Sequence, residues 1–207
     1  MLNADAIKTL IDSPDATLGV APLLNAEKLA GGDASIDLRL GCWFIQLRTE
    51  RYSEFDFASQ SGHDEDFLTQ KTYVPFGKKF VLHPHSFILA ATLEWIKIPN
   101  NLGGYVTGKS SLGRRGLVIE TAPGVHPGFL GCLTLELANI GEVPLTLHPG
   151  MPICQLFLHQ ITSKITTNAQ TRFRGERQPK LGIYTPDPIM KKLQEGRNAT
   201  TKRVMND

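Results

Sequence analysis

The densest run of chemistry-bearing side chains is Gly108-Lys109-Ser110-Ser111-Leu112-Gly113-Arg114-Arg115-Gly116, with two hydroxyls, three cations and three glycines in nine residues. Glycines let backbone N–H groups approach an anion, hydroxyls donate further hydrogen bonds, and Lys or Arg offsets phosphate charge. The run reads as a phosphate-binding turn; its plainer reading is a charged tight turn. G-K-S stands at its head, but no long helical pattern follows, so it is not a Walker loop.

A second constellation is Cys132-Leu133-Thr134-Leu135-Glu136-Leu137-Ala138-Asn139. Strict alternation puts the leucines on one face and Cys132, Thr134 and Glu136 on the other. With the leucines in the core, Glu136 is either an exposed acid on a half-buried strand or, at a barrel lining or subunit interface, a partly desolvated acid/base. The third is Thr121 to Gly131, where Pro-Gly pairs flank His126 and make a rigid loop between two strands. The six histidines form no H-x-x-x-H pair, so no metal site is expected. The pairing of H-x-E with P-C-x-x-C that zinc nucleobase deaminases require is missing, since no P-C-x-x-C occurs, and so are the G-x-S-x-G elbow and the dinucleotide fingerprint.

The elements that position these residues are mainly strands. Asn3 or Asp5 caps a short N-terminal helix with Ile7, Leu10 and Ile11 on one face, and Ser13-Pro14-Asp15 ends it. Beyond it, short apolar runs recur between Gly, Pro, Asn and His turns: Ser35–Leu40, Trp43–Leu47, Phe80–Leu82, Phe87–Leu93, Tyr105–Val106, Leu117–Ile119, Leu133–Leu137, Leu145–Leu147 and Ile153–Leu158. That punctuation predicts an all-β sandwich, jelly roll or barrel. Val81-Leu82-His83-Pro84 is echoed by Thr146-Leu147-His148-Pro149, each a strand entering a Pro turn before an apolar run. The polar, acidic stretch from Arg48 to Gln70 reads as a surface excursion.

The 207 residues suffice for one domain with its own core. We expect a domain over residues 1–163 and a basic C-terminal lid and tail over 164–207. The formal charge of +2 favours no nucleic-acid partner, yet it hides an asymmetry. Residues 1–163 hold 12 basic and 16 acidic side chains, a net of −4; residues 164–207 hold 10 and 4, a net of +6. Three cysteines without C-x-x-C spacing exclude a disulfide framework and a four-thiolate zinc site. With no basic, apolar leader at Met1 and no apolar run near the roughly 20 residues of a membrane helix, a soluble, cytoplasmic protein is expected.

Taken in order, Ile36-Asp37-Leu38-Arg39-Leu40-Gly41, Leu82-His83-Pro84, Ala90 to Glu94, Ile98-Pro99, Gly108 to Arg114, Pro127-Gly128-Phe129, Leu135-Glu136 and Pro149 to Leu156 resemble the motifs of the dCTP deaminases, in the trimeric dUTPase-like superfamily. The resemblance implies a distorted jelly-roll β-barrel of the β-clip type, assembled as a homotrimer with active sites between subunits. It implies zinc-independent conversion of dCTP to dUTP and ammonia, with Mg²⁺ bound through the triphosphate. Carried over by residue, Glu136 activates water for attack on C4 of cytosine, and Ser110 and Arg114 position that water and the pyrimidine. Lys109 and Ser111 hold the triphosphate, and the Ala122 carbonyl accepts a hydrogen bond in the base pocket. Gly124, His126 and Gln155 fall at nucleotide-binding positions. Arg172, Phe173 and Glu176 fall in a segment that folds over bound nucleotide.

The sequence also departs from the family pattern. Lys109 replaces an Arg, which keeps the charge and loses the bidentate fork. Arg172 and Phe173 replace Lys and Tyr, Glu176 replaces Gln, and His126 replaces the Asp that contacts the sugar 3′-hydroxyl. Gly124 stands where deaminases carry an Arg, and the stretch between Leu117 and Thr121 is one residue shorter. Two alternatives follow from these departures. One is a dUTP or dCTP diphosphatase, or a bifunctional deaminase–diphosphatase; the other is a non-catalytic nucleotide-binding relative.

Overall fold

A computed structural model of the chain describes residues 1–13, 17–24, 34–48, 65–120, 124–162, 174–182, 187–190 and 192–193. The chain divides into two compact units, Met1–Leu47 with Gln70–Lys180 and Arg48–Thr69 with Leu181–Asp207. In chain order the elements are α1 (Ala4–Asp12), β1 (Gly19–Ala21), β2 (Ile36–Leu47), α2 (Glu65–Leu68), β3 (Thr69–Tyr73), β4 (Phe80–Leu82), β5 (Phe87–Lys97), β6 (Leu102–Gly108), α3 (Ser110–Gly113), β7 (Leu117–Glu120), β8 (Leu130–Asn139), β9 (Leu145–Leu147) and β10 (Pro152–Gln160). None of the helices among the described residues is long and apolar enough to cross a membrane.

The first unit is mainly β, as the turn-punctuated sequence predicts. Its principal sheet runs β6-β10-β2-β5-β8-β7, with β1 on β5 and β3 on β2. The sheet curls until its outermost strands meet. A Cβ placed on Gly108, at the end of β6, would lie 3.1 Å from the Ile119 side chain of β7, a tight approach between the two strands. Gly104 and Val125 form a further antiparallel bridge between β6 and the segment after β7. The result is a nearly closed barrel whose inward leucines, among them Leu38, Leu40, Leu135, Leu137, Leu156 and Leu158, are fully buried.

Several sequence expectations acquire a physical form here. Asn3, rather than Asp5, caps α1: its Oδ1 accepts the Ala6 N–H at 3.0 Å. The runs Ser35–Leu40 and Trp43–Leu47 are one strand, β2, with a register shift between Leu40 and Phe44 where it pairs β5. The two echoed segments pair with each other: Phe80, Val81 and Leu82 of β4 lie opposite Leu147, Thr146 and Leu145 of β9. Each then enters a tight turn headed by Pro84 or Pro149, closed by Ser86 N–H on the His83 carbonyl or Met151 N–H on the His148 carbonyl.

Within the second unit, Arg48 N–H donates to the Leu68 carbonyl and Arg48 Nε to the Thr69 carbonyl, at 2.8 and 2.9 Å. Leu68 and Thr69 are buried, so the end of the stretch read as a polar surface excursion is anchored instead.

Candidate active site

The Lys109–Gly116 run folds as a single helical turn between β6 and β7. Lys109 is the N-cap residue of α3 and Arg114 its C-cap, with Arg114 N–H on the Ser110 carbonyl at 3.0 Å. Ser110, Ser111 and Arg114 are exposed on this turn, and Arg115 reaches back to donate to the Ser111 carbonyl at 2.6 Å. Counted from Gly103, the residues through Ser110 spell the P-loop string in full. The structure nevertheless lays Leu102–Gly108 out as strand β6, paired with β10 along its length. A paired strand cannot wrap its N–H groups around a phosphate, and the helix that follows has four residues. The rejection of a Walker loop stands on this geometry.

The exit from the turn is fixed by a residue that the chemistry of side chains did not mark out. Asn139, at the end of β8, is 1% exposed. Its Nδ2 donates to the Leu82 and Val143 carbonyls at 3.0 and 2.9 Å, and its Oδ1 accepts the Gly141 N–H at 3.0 Å. The loop so held presents Ile140 N–H to the Gly116 carbonyl at 2.9 Å. Gly116 has φ +90°, and a Cβ there would sit 2.9 Å from the Gly141 nitrogen, so this contact requires glycine.

Glu136 occupies the outward face of β8, as the alternation predicts, and is exposed in the single chain. Its ladder partners are Leu89 on β5 and Glu120 on β7, and Glu120 is also exposed. Like charges placed directly opposite destabilise a ladder, so this pair works against the β7–β8 pairing. The turn adjoins the Leu117 end of β7 and Glu136 the Glu120 end, a separation of about 10 Å along the strand at roughly 3.3 Å per residue.

Lys109 lies elsewhere than in open solvent. Its ammonium is 2.6 Å from Asp37 Oδ1 on β2, and its N–H donates to the Ile153 carbonyl at 3.2 Å. Gln155 pairs with Asp37 on one side and Thr107 on the other, and its Nε2 donates to Ser35 Oγ at 3.0 Å. Lys109 and Gln155 are therefore brought together around Asp37. The loop residues are spread out: Gly124 and His126 are exposed, Val125 is buried, and the His126 carbonyl accepts the Phe129 N–H at 3.1 Å. Ala122, Arg172 and Phe173 lie outside the described residues.

The segment carrying Glu176 is strapped to the start of β8. Gly175 N–H donates to the Leu130 carbonyl and Cys132 N–H to the Glu176 carbonyl, at 2.7 and 2.8 Å. The Glu176 carboxylate takes Lys180 Nζ at 2.6 Å, and the Arg177 guanidinium lies 5.1 Å from the centre of the Trp95 ring. A cavity of about 660 Å³ opens here, lined by Trp43, Thr92, Trp95, Cys132 and Arg177 among others, and not by the α3 turn or Glu136. Burial pushes the Cys132 thiol up to about 11 and the Cys154 thiol up to about 12, so both are protonated at neutral pH and neither is poised as a nucleophile.

The structure thus places a turn bearing hydroxyls and cations at one end of β7 and an outward carboxylate at the other. Sequence reasoning singled out Ser110, Ser111 and Arg114 by residue type and Glu136 through the family resemblance, and did not mark the Asp37 contact with Lys109 or the Asn139 clamp. The outward phase of Asp37 was available from the alternation of Ile36, Leu38 and Leu40, although its partner 72 residues on was not.

Comparison with known proteins identifies the family. A family model described as dCTP deaminase-like matches residues 1–161. The dCTP deaminase, dUMP-forming, of Mycobacterium avium (strain 104) is 42% identical over 152 residues, which cover 70% of this chain and 78% of that protein. The protein of the same name from Mycobacterium tuberculosis (strain ATCC 25618 / H37Rv) gives the same figures. Among solved structures, the 2′-deoxycytidine 5′-triphosphate deaminase from Agrobacterium tumefaciens shares the fold, with a TM-score of 0.58 at 19% identity. That match covers 77% of this chain and 47% of the longer one. With the family model matched over residues 1–161 and relatives at 42% identity, the chain belongs to the dCTP deaminase-like family.

Proposed function

We propose that this chain is a dCTP deaminase whose end product is dUMP. The observation that carries the reading is 42% identity over 152 residues to enzymes named for that reaction, in a chain whose α3 turn and Glu136 supply the groups it needs. Those names replace the dUTP expected from the motifs with dUMP as the final product. In the first step the Glu136 carboxylate takes a proton from water, the hydroxide adds to C4, and the proton passes to the amino group, which leaves as ammonia. Ser110 and Arg114 orient the water and the pyrimidine. In the second step water cleaves the α–β phosphate link and releases pyrophosphate. The first step uses a carboxylate base in place of metal-bound hydroxide, in keeping with a sequence that lacks the zinc-deaminase motif.

Mg²⁺ enters with the substrate, on its phosphate oxygens. Among the described residues no group of three His, Cys, Asp or Glu side chains gathers to hold it directly. Glu136, exposed and about 10 Å along β7 from the turn, supports a site completed by a neighbouring copy, in a homotrimer.

The test is incubation of the purified chain with dCTP and Mg²⁺, following ammonia, dUTP, dUMP and pyrophosphate. Ammonia and dUMP should appear together, and Glu136→Gln should slow ammonia release by about a hundredfold or more. No ammonia from the wild type, or full activity in the variant, overturns the deaminase reading; accumulation of dUTP alone restores dUTP as the end product.

A further inference from the structure

The ion pair between Asp37 and Lys109 belongs to no step described so far, and it is an enclosed charged contact beside the turn. The Asp37 side chain is 8% exposed and that of Lys109 24%, with 2.6 Å between Oδ1 and Nζ. Direct partners in a ladder share a face, so Asp37, Gln155 and Thr107 form one row across β2, β10 and β6. Lys109 follows Thr107 by two residues and immediately precedes Ser110. Its main chain is pinned separately, by N–H to the Ile153 carbonyl. A lysine side chain has four rotatable bonds and much conformational entropy to lose, so an unanchored ammonium is a poor point of recognition. An ammonium also has three N–H donors, and a single carboxylate oxygen uses one of them.

Resting on the deaminase reading above, we propose that Asp37 is a positioning residue for triphosphate recognition. It holds the Lys109 ammonium beside Ser110 and Ser111 and leaves the other N–H donors for a phosphate oxygen. The opposite role, in which Asp37 merely cancels the lysine charge, has the opposite sign. Removing the carboxylate would then strengthen anion binding, because one negative charge is gone. If Asp37 positions the ammonium, removing it weakens binding although the site becomes more positive.

The experiment measures inorganic triphosphate binding by calorimetry, and steady-state kinetics on dCTP, for wild type, Asp37→Asn, Lys109→Met and the double variant. Asp37→Asn should weaken triphosphate binding and raise KM about tenfold, the loss expected for one charge-assisted hydrogen bond, with kcat within about twofold. In the Lys109→Met background the same change should have no further effect. Asp37→Glu keeps the charge and displaces it by one methylene, so it should raise KM by several-fold; this variant carries the test if Asp37→Asn does not fold. Binding by Asp37→Asn as tight as or tighter than wild type overturns the proposal. So does an equal loss in the Lys109→Met background, or a wild type that binds no inorganic triphosphate. Calorimetry needs no turnover, so a wild type that binds triphosphate yet releases no ammonia overturns the deaminase reading alone.

Discussion

Asn139 uses every hydrogen-bonding position of its side-chain amide that faces the protein: two N–H donors on the Leu82 and Val143 carbonyls, and the oxygen on Gly141 N–H. Replacing it by Ala leaves three backbone groups without their partner at a site 1% exposed. Each net loss is about 1 kcal/mol, and more where a group stays buried. Asn139→Ala should therefore cost roughly 2–4 kcal/mol in urea denaturation; a change within 0.5 kcal/mol, about the size of an ordinary surface substitution, would show that the clamp is unimportant. Deaminase activity should fall with it, because the loop that Asn139 holds sets the exit of the α3 turn through Ile140 and Gly116. The contrast with Glu136 explains what a sequence reveals at this scale. Ser110 and Arg114 stand out by residue type in a dense polar run, and Glu136 stands out through its alternation and the family resemblance. Asn139 acts through backbone carbonyls as far as 57 residues away, and such partners have no signature in the linear chain.

At the scale of elements, β2 and β5 both lose register at the same level, between Leu40 and Phe44 and between Ala91 and Trp95. The extra residues bend both strands, which helps the sheet to close. Thr92, 2% exposed, spans the gap: its hydroxyl donates to the Glu94 carbonyl and accepts Leu133 N–H, both at 2.9 Å. Glu94 is also 2% exposed and accepts Arg39 N–H at 2.8 Å. Burial pushes its carboxyl above the ordinary 4.5, and the Arg39 N–H pulls only partly against it. A carboxyl that holds its proton more tightly in the folded chain stabilises the fold below about pH 4.5 and loses that contribution as pH rises through the raised value. The difference in Tm between Glu94→Gln and wild type should then shift in favour of the variant as pH rises from 4.5 towards neutrality; a shift the other way would mean that the Arg39 interaction outweighs burial. Long apolar strands such as β5 and β8 were readable from periodicity, and β4 and β9 from their short apolar runs, though not their pairing with each other. The three residues of β1 and the polar Thr-Gln-Lys-Thr-Tyr of β3 were not, because only pairing with β5 and β2 makes them strands.

For the whole molecule, the proposed trimer predicts a particle of three 22.8 kDa chains in sedimentation equilibrium; a monomer at micromolar concentration would leave Glu136 facing solvent and refute a shared site. The uneven charge, −4 over residues 1–163 and +6 over 164–207, was plain in the sequence. Where residues 174–180 attach was not, since they use main-chain groups of Gly175 and Glu176 together with Arg177 on Trp95. That attachment has a consequence for the life of the protein in a crowded solution. On this edge β7 pairs with β8 only from Glu136 to Asn139, and the strap engages Leu130 and Cys132 beyond it. A chain cut before Arg174 would turn those backbone groups outward beside the apolar Phe129 and Leu133, a ready template for a strand from another molecule. The same short strap thus occupies backbone groups of β8 that a strand from another molecule could otherwise pair.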